Sequence, residues 1–309
     1  MRGTSLDRTT LTAATWMVGS ILSFSAMAVA ARQVAGAHDT FEIMLYRSAL
    51  GVVLVGGALA ATGRLRAART GLAGLHVARN AAHFAGQNLW FLALTMAPLA
   101  QVFALEFTAP LWVLLLAPLL LGERVRAAQF AVAGVGFGGI LLVAQPWGGE
   151  ASVGLAWAAL AAVMFATTNL LTRRLTRTDG LGTILLWLTG TQLAFGLVCA
   201  GFDGRIAWPS TATAPWLALI GVGGLAAHLC LTRALTLAPA SVVMPVDFAR
   251  LPLIAAVGAA FYDEALDPLV LLGGLVIAGA AWANLRLAPP APSVASVPPV
   301  IGETKASAR

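Results

Sequence analysis

The chain has 309 residues, 59% of them hydrophobic and only 10% charged, against about 25% charged residues in an ordinary soluble domain. Apolar stretches of about twenty residues, the length that crosses a bilayer core, recur along it; this excludes a soluble globular protein and predicts an all-α polytopic membrane protein. The formal net charge of +6 does not point to nucleic acid, because the arginines fall in short clusters between apolar runs and form no long basic stripe.

In chain order, the hydropathy pattern predicts ten transmembrane helices, at roughly 11–31, 41–61, 72–94, 98–121, 126–144, 152–172, 181–200, 214–236, 239–262 and 267–286. The breaks carry turn chemistry, including Thr62-Gly63, Pro98, Gln145-Pro146-Trp147-Gly148-Gly149, Asp179-Gly180, Asp203-Gly204 and Pro239. The first span follows Arg2 and Arg8 and contains Ala26-Met27-Ala28, a superficial likeness to a signal peptide. The second span carries Arg47. The third carries Arg79, His83 and Gln87 at i, i+4 and i+8, a polar stripe expected to face protein or water and not lipid, with His76 nearer its end. Near the inner surface, His76 is expected to snorkel, and Arg79 is close enough to do the same. Glycines 134, 136, 138 and 139 in the fifth span and 273, 274 and 279 in the tenth suit close helix packing, which makes these spans candidates for a scaffold or homodimer surface. Cys199 and Cys230 fall near opposite ends of neighbouring spans and are not expected to pair. Residues 1–10 form a short tail, and 287–309, rich in Pro, Ala, Ser and Val, are expected to be disordered.

Shifted by 141 residues, the chain matches itself. Trp16 falls on Trp157, Phe24 on Phe165, Arg32 on Arg173, residues 93–98 on 234–239, Phe107 on Phe248 and Glu123 on Glu264, without a gap. Two five-helix repeats are therefore expected, at 11–144 and 152–286. Because the first span has a mid-chain partner, it is expected to be kept and not cleaved. Five spans per half is odd, so the second half is expected to be inverted relative to the first. Arginine placement predicts both termini in the cytoplasm: Arg64, Arg66, Arg69, Arg124, Arg126, Arg173, Arg174, Arg177 and Arg286 lie inside, while Arg32 and Arg205 lie outside with Asp263, Glu264 and Asp267.

Charges at mid-membrane are costly, on the order of 2.5–3.5 kcal/mol each, and are expected to have a partner, a wet cavity or a role. Glu106 lies eight residues past Pro98 and Asp247 eight past Pro239. The two are repeat mates, so their carboxylates are expected to meet near the midplane. Arg250, three residues after Asp247, is on the same helical face; pairing there would keep Asp247 ionised and leave Glu106 as the candidate for proton coupling. His228 is the repeat mate of Gln87. Arg47 is either a clamp for an anionic group or a structural partner of Glu106. The candidate substrate-binding set is thus Arg47, Arg79, His83, Gln87, Glu106, His228, Asp247 and Arg250, its mixed charge suiting a zwitterionic or mixed-charge metabolite. Trp90, Phe107, Phe248 and Phe84 offer aromatic faces, though ordinary lipid or core packing is the preferred reading of them.

The run Phe107-Thr108-Ala109-Pro110-Leu111-Trp112, followed by Leu119-Leu120-Leu121-Gly122-Glu123-Arg124-Val125, Gln129 and a glycine-rich fifth span, resembles the signature of EamA-type members of the drug/metabolite transporter superfamily. The second half is similar at residues 238–243 and at Phe261-Tyr262-Asp263-Glu264, where Asp263 replaces the Gly122 of the first copy. The resemblance covers about 11–286 and implies an inner-membrane secondary carrier of small metabolites such as S-adenosylmethionine, riboflavin or amino acids. No HExxH, GxSxG or Walker loop occurs, and four histidines on separate helices do not make a metal site, so neither cofactor nor metal is expected. A membrane-embedded transferase using Glu106 and His83 as an acid/base pair, or a non-transporting scaffold, are the alternatives to a carrier.

Overall fold

The computed structural model describes residues 8–64, 69–121, 127–145, 153–175, 177–202, 204–237, 246–247 and 249–287. The elements are α1 (Arg8–Val34), α2 (Thr40–Ala61), α3 (Ala73–Met96), α4 (Leu99–Glu106), α5 (Ala109–Leu121), α6 (Ala127–Ala144), α7 (Val153–Leu175), α8 (Leu181–Ala200), α9 (Ala214–Leu237), α10 (Arg250–Tyr262) and α11 (Pro268–Leu287), with no strand among the described residues. Among the described residues, five stretches are long and apolar enough to cross a membrane: Leu11–Val34, Thr40–Ala61, Val153–Leu175, Leu181–Ala200 and Ala214–Leu231. Shorter apolar helices accompany them. Helix α3 is as long, with 24 residues, but is interrupted by His76, Arg79, Asn80, His83, Gln87 and Asn88, all buried. Most of the large hydrophobic side chains left exposed, such as Leu22, Val53, Val198 and Leu275, are aliphatic, with aromatics such as Phe202, Trp208 and Phe261 among them, as suits a lipid-facing surface.

The expected fourth span is not continuous. It breaks after Glu106 and resumes at Ala109, because Pro110 has no N–H to give the Glu106 carbonyl. The Thr108 hydroxyl instead donates to Leu105 O at 2.6 Å. In the second half, α10 begins at Arg250, the repeat mate of Ala109, with Pro252 in its first turn.

Helices pack chiefly across the halves: α1 on α9, α2 on α8, α3 on α7, α4 on α7 and α10, and α6 on α11. The closest crossing is at the glycines of α6 and α11. A Cβ at Gly139 would lie 2.8 Å from Ile277 and 2.9 Å from the Gly273 carbonyl, and one at Gly136 would lie 3.3 Å from Ala280. The pairs 136/280 and 139/277 exchange under the 141-residue shift, so one contact is made twice. Gly136, Gly139, Gly273 and Gly274 therefore serve packing within the chain, whereas Gly134, Gly138 and Gly279 face open space.

At one end of the bundle, where α1, α3, α8 and α10 finish, Arg32 donates from Nε to Leu94 O and from Nη2 to Ala97 O, each at 2.6 Å, and pairs with Glu264; the second Glu264 oxygen accepts from Leu99 N. The opposite end is tied by Asp179, which accepts from Thr70 Oγ1 and His76 Nε2, each at 2.6 Å. Those two donors hold the Asp179 carboxyl below the usual carboxylate range. His76 does not snorkel: it is fully buried and stacks on Trp187 with ring centroids 5.3 Å apart. Its partner, Asp179, lies more than a hundred residues downstream. Cys199 and Cys230 are both free and half-buried.

Candidate functional site

Glu106 is the last residue of α4, at the helix break. One carboxylate oxygen accepts from the Trp90 indole at 2.8 Å and the other lies 3.3 Å from Arg250 Nη2. The same Nη2 is 3.0 Å from Asp247 Oδ2. A single guanidinium thus bridges the two repeat-mate carboxylates, and Asp247 does not monopolise it. Arg250 is 4% exposed, and the rings of Phe24, Phe103 and Phe107 surround its guanidinium at 5.1, 5.2 and 5.0 Å. Aromatic faces stabilise a desolvated cation by their quadrupoles, while the two carboxylates supply the counter-charge.

From this triad a continuous path of rings leads across the bundle. Phe24 meets His228 edge-on with centroids 5.5 Å apart, and His228 meets His83 at 6.2 Å. His83 also approaches Phe165 at 5.9 Å, and neither of its ring nitrogens has a hydrogen-bond partner. His228 lines a small cavity with Arg47, Ser48 and Gln192, where Arg47 Nη1 donates to Gln192 Oε1 at 3.3 Å. Arg47 is therefore not the partner of Glu106; helix α2 directs it toward α8 and α9. A Cβ at Gly224 would lie 2.9 Å from Arg47 Nε, so the guanidinium lies close against α9 there and would have to shift for a larger residue.

Arg79 is buried and not at a surface. Its Nε donates to Thr172 Oγ1 and its Nη1 to Asn80 Oδ1, each at 2.9 Å, while Asn80 in turn donates to Trp187 O and Thr191 Oγ1. Gln87 is buried with its Oε1 unpartnered. The stripe on α3 thus faces protein along its length. Among the described residues no carboxylate lies within ion-pair distance of Arg47 or Arg79. The interior has two poles, one holding Glu106, Asp247 and Arg250, the other Arg47 and Arg79. Phe84 belongs to neither: it stacks on Phe41 and meets Phe195 edge-on. Phe248 and the repeated motif at 238–243 lie outside the described residues, as do Gly122 to Arg126.

Sequence reasoning did not anticipate Phe24 and Phe103 around Arg250, the Trp90 bond to Glu106, or Ser48, Gln192 and Gly224 around Arg47. Asn80, polar and adjacent to Arg79 within an apolar helix, was a readable signal. The others are ordinary residues of apolar spans until a partner from another helix is placed beside them.

The model of the EamA-like transporter family matches residues 11–145. A riboflavin transporter of Rhizobium johnstonii is 34% identical to this chain over 72% of it and 73% of the relative's own length. The chain belongs to the EamA-like transporter family. A riboflavin transporter of Brucella anthropi is 35% identical to this EamA-like protein over 61% of the chain and 68% of the relative, and an S-adenosylmethionine uptake transporter of Rickettsia conorii is 23% identical over 87% and 91%. A solved crystal structure superposes on 89% of this chain and 96% of its own, with a TM-score of 0.63 at 21% identity, which shows a shared fold. This EamA-like protein is a multi-pass membrane transporter of a small metabolite, not an enzyme. In keeping with that, Glu106 bonds to Trp90 and Arg250 while His83 meets Phe165 and His228, so the acid/base pair weighed above is not assembled.

Proposed function

We propose that this transporter is a carrier of a flat heteroaromatic metabolite with polar appendages, of the riboflavin type, working by alternating access between two inverted five-helix repeats at 11–144 and 152–286. The observation that carries this reading is the unbroken ring-and-charge path from the Glu106–Arg250–Asp247 triad through Phe24 and His228 to His83 and Arg47. Aromatic faces suit a flat ring system, and the two poles suit groups of opposite polarity at its ends. The riboflavin transporters among its relatives are more similar to it than the S-adenosylmethionine carriers, and this favours the flavin over a cationic sulfonium substrate. Arg47, Arg79, His83, Gln87, Glu106, His228, Asp247 and Arg250 line the substrate path in this reading, with Glu106, at the helix break, as the proton-coupling group.

The reciprocal packing of helices across the halves supports an inverted repeat, in which one site faces either side as the halves rock. Ten spans, both termini in the cytoplasm and an inner-membrane location complete the proposal. Gly134, Gly138 and Gly279, facing outward, are where a homodimer would form. The test is uptake of labelled riboflavin and of labelled S-adenosylmethionine into proteoliposomes holding the purified chain, with and without a pH gradient. Saturable riboflavin uptake lost in Glu106→Gln under a gradient, with exchange retained, is the expected result. Uptake of S-adenosylmethionine alone would overturn the substrate assignment, and gradient-driven accumulation by Glu106→Gln at the wild-type rate would remove the proton role.

A further inference from the structure

The cavity where α2, α8 and α9 meet is lined by Arg47, Ser48, Gln192 and His228, with Leu188 and Thr189 opposite. Its volume is about 20 Å³, a little more than the roughly 10–15 Å³ that admits one water molecule. A ring system is excluded; a single compact group fits.

Arg47 brings donors only to this lining, and Ser48, Gln192 and His228 can each add one. Gln192 must turn its carbonyl toward Arg47, which has no acceptor to offer, and this leaves the amide Nε2 as a donor. That Nε2, Arg47 Nε and Ser48 Oγ are all buried and have no hydrogen-bond partner. Arg47 is 8% exposed, Ser48 2% and Gln192 1%. Buried donors left unsatisfied are unfavourable, and a buried guanidinium without a counter-charge is more so. Arg79 adds a second cation with neutral partners only. A site built of donors around a positive charge is complementary to an anion.

Three pairs of residues 141 apart line the cavity together: Arg47 with Leu188, Ser48 with Thr189, and Gly51 with Gln192. It therefore lies where α2 crosses its own repeat mate α8, yet its chemistry is one-sided. Leucine stands in the arginine's place, and the Thr189 hydroxyl is already given to the carbonyls of Leu185 and Leu186. Gly224, against which the guanidinium lies, has His83 as its mate. The site exists in one copy and gives the axis between the halves a polarity.

We infer that this cavity binds one compact monovalent anion, a halide or the carboxylate end of a small molecule, through Arg47, Ser48 and Gln192. The inference goes beyond the riboflavin reading and does not depend on it, because binding is read at equilibrium without transport.

The experiment uses the full chain in detergent, in a buffer whose only anion is a bulky sulfonate, with ionic strength held constant. Thermal unfolding is followed as chloride, bromide or acetate replaces the sulfonate. A saturable rise in Tm is expected, with a midpoint raised about tenfold or more in Arg47→Gln, since a charge-assisted contact is worth about one such factor or more. Ser48→Ala and Gln192→Leu keep the guanidinium and should raise the midpoint several-fold. A response to halides alone assigns a resident inorganic ion; a response to acetate alone assigns the carboxylate of a carried or regulatory molecule. No saturable shift in the wild type, or identical midpoints in the wild type, Ser48→Ala and Gln192→Leu, overturns the inference even if Arg47→Gln fails to fold.

Discussion

Because Arg250 serves both Glu106 and Asp247, neutralising one carboxylate should be tolerated and neutralising both should not. In Asp247→Asn the guanidinium keeps Glu106 at 3.3 Å, and in Glu106→Gln it keeps Asp247 at 3.0 Å. Each single change removes one charge-assisted contact, costing about 1.5–3 kcal/mol. The double variant leaves a cation that is 4% exposed without a counter-charge, a loss of about 3–5 kcal/mol for a broken buried pair on top of the lost contacts. Adding Arg250→Met to the double variant removes the orphaned charge and leaves a thioether among Phe24, Phe103 and Phe107, so stability should return to within about 1–2 kcal/mol of wild type, as replacing a buried ion pair by apolar groups is often neutral. The assay is thermal unfolding of the wild type and the four variants in one detergent, followed by tryptophan fluorescence and monodispersity. A double variant no less stable than the singles, or a triple variant as unstable as the double, would refute the bridge. Transport is a separate readout, since the triple variant is expected to fold and still carry nothing.

The other predictions are as direct. Gly139→Leu should destabilise by about 1–3 kcal/mol through overpacking, because its side chain would enter Ile277 and the Gly273 carbonyl; Gly138→Leu, one residue away and facing open space, should unfold at or slightly above the wild-type temperature. At the opposite end from Arg32, the depressed Asp179 carboxyl contributes stability that is present above its unfolded value near 3.8 and lost as the pH falls through the lowered folded value. Asp179→Asn should accordingly lower Tm at pH 7 and flatten its fall below pH 4, and a parallel pair of pH curves would contradict this. A reporter fused after Ala308 should be active in the cytoplasm, and Cys199 should react with impermeant thiol reagents faster than Cys230; a reporter active only in the periplasm reverses the topology.

The all-helical membrane class was legible because membrane constraints act locally. A twenty-residue apolar run, a 141-residue self-match and a polar stripe at i, i+4 and i+8 can each be seen without a partner, and the repeat-mate relation pointed to Glu106 and Asp247 lying near each other, though not to the guanidinium they share. What stayed hidden depends on pairs between distant helices. Arg250 was read with Asp247 alone because both lie on one turn, while its approach to Glu106 depends on how α4 crosses α10. His76 was placed at the surface because its partner Asp179 belongs to another loop. The break at 107–108 was legible in principle from Pro110, four residues after Glu106, but the hydrophobicity of the span masked it. Gly224 could not be read as the floor beneath Arg47, because close approach leaves no trace in a sequence already rich in glycine.

The reciprocal packing of the helices also bears on how the molecule is made. Since α1, α2, α3, α4 and α6 each find their main neighbour among helices that follow residue 150, the first half leaves the ribosome with its inward faces, including Arg47, Arg79 and Glu106, uncovered. During that interval those charges have only lipid, water drawn into the bilayer or an insertion factor to shelter them. Neither half should accumulate when synthesised alone, while two separate chains cut between α6 and α7 should rescue each other when made together. A defect in the second half would then surface first as degradation of the first, so the newborn chain is policed by the completeness of its own partner.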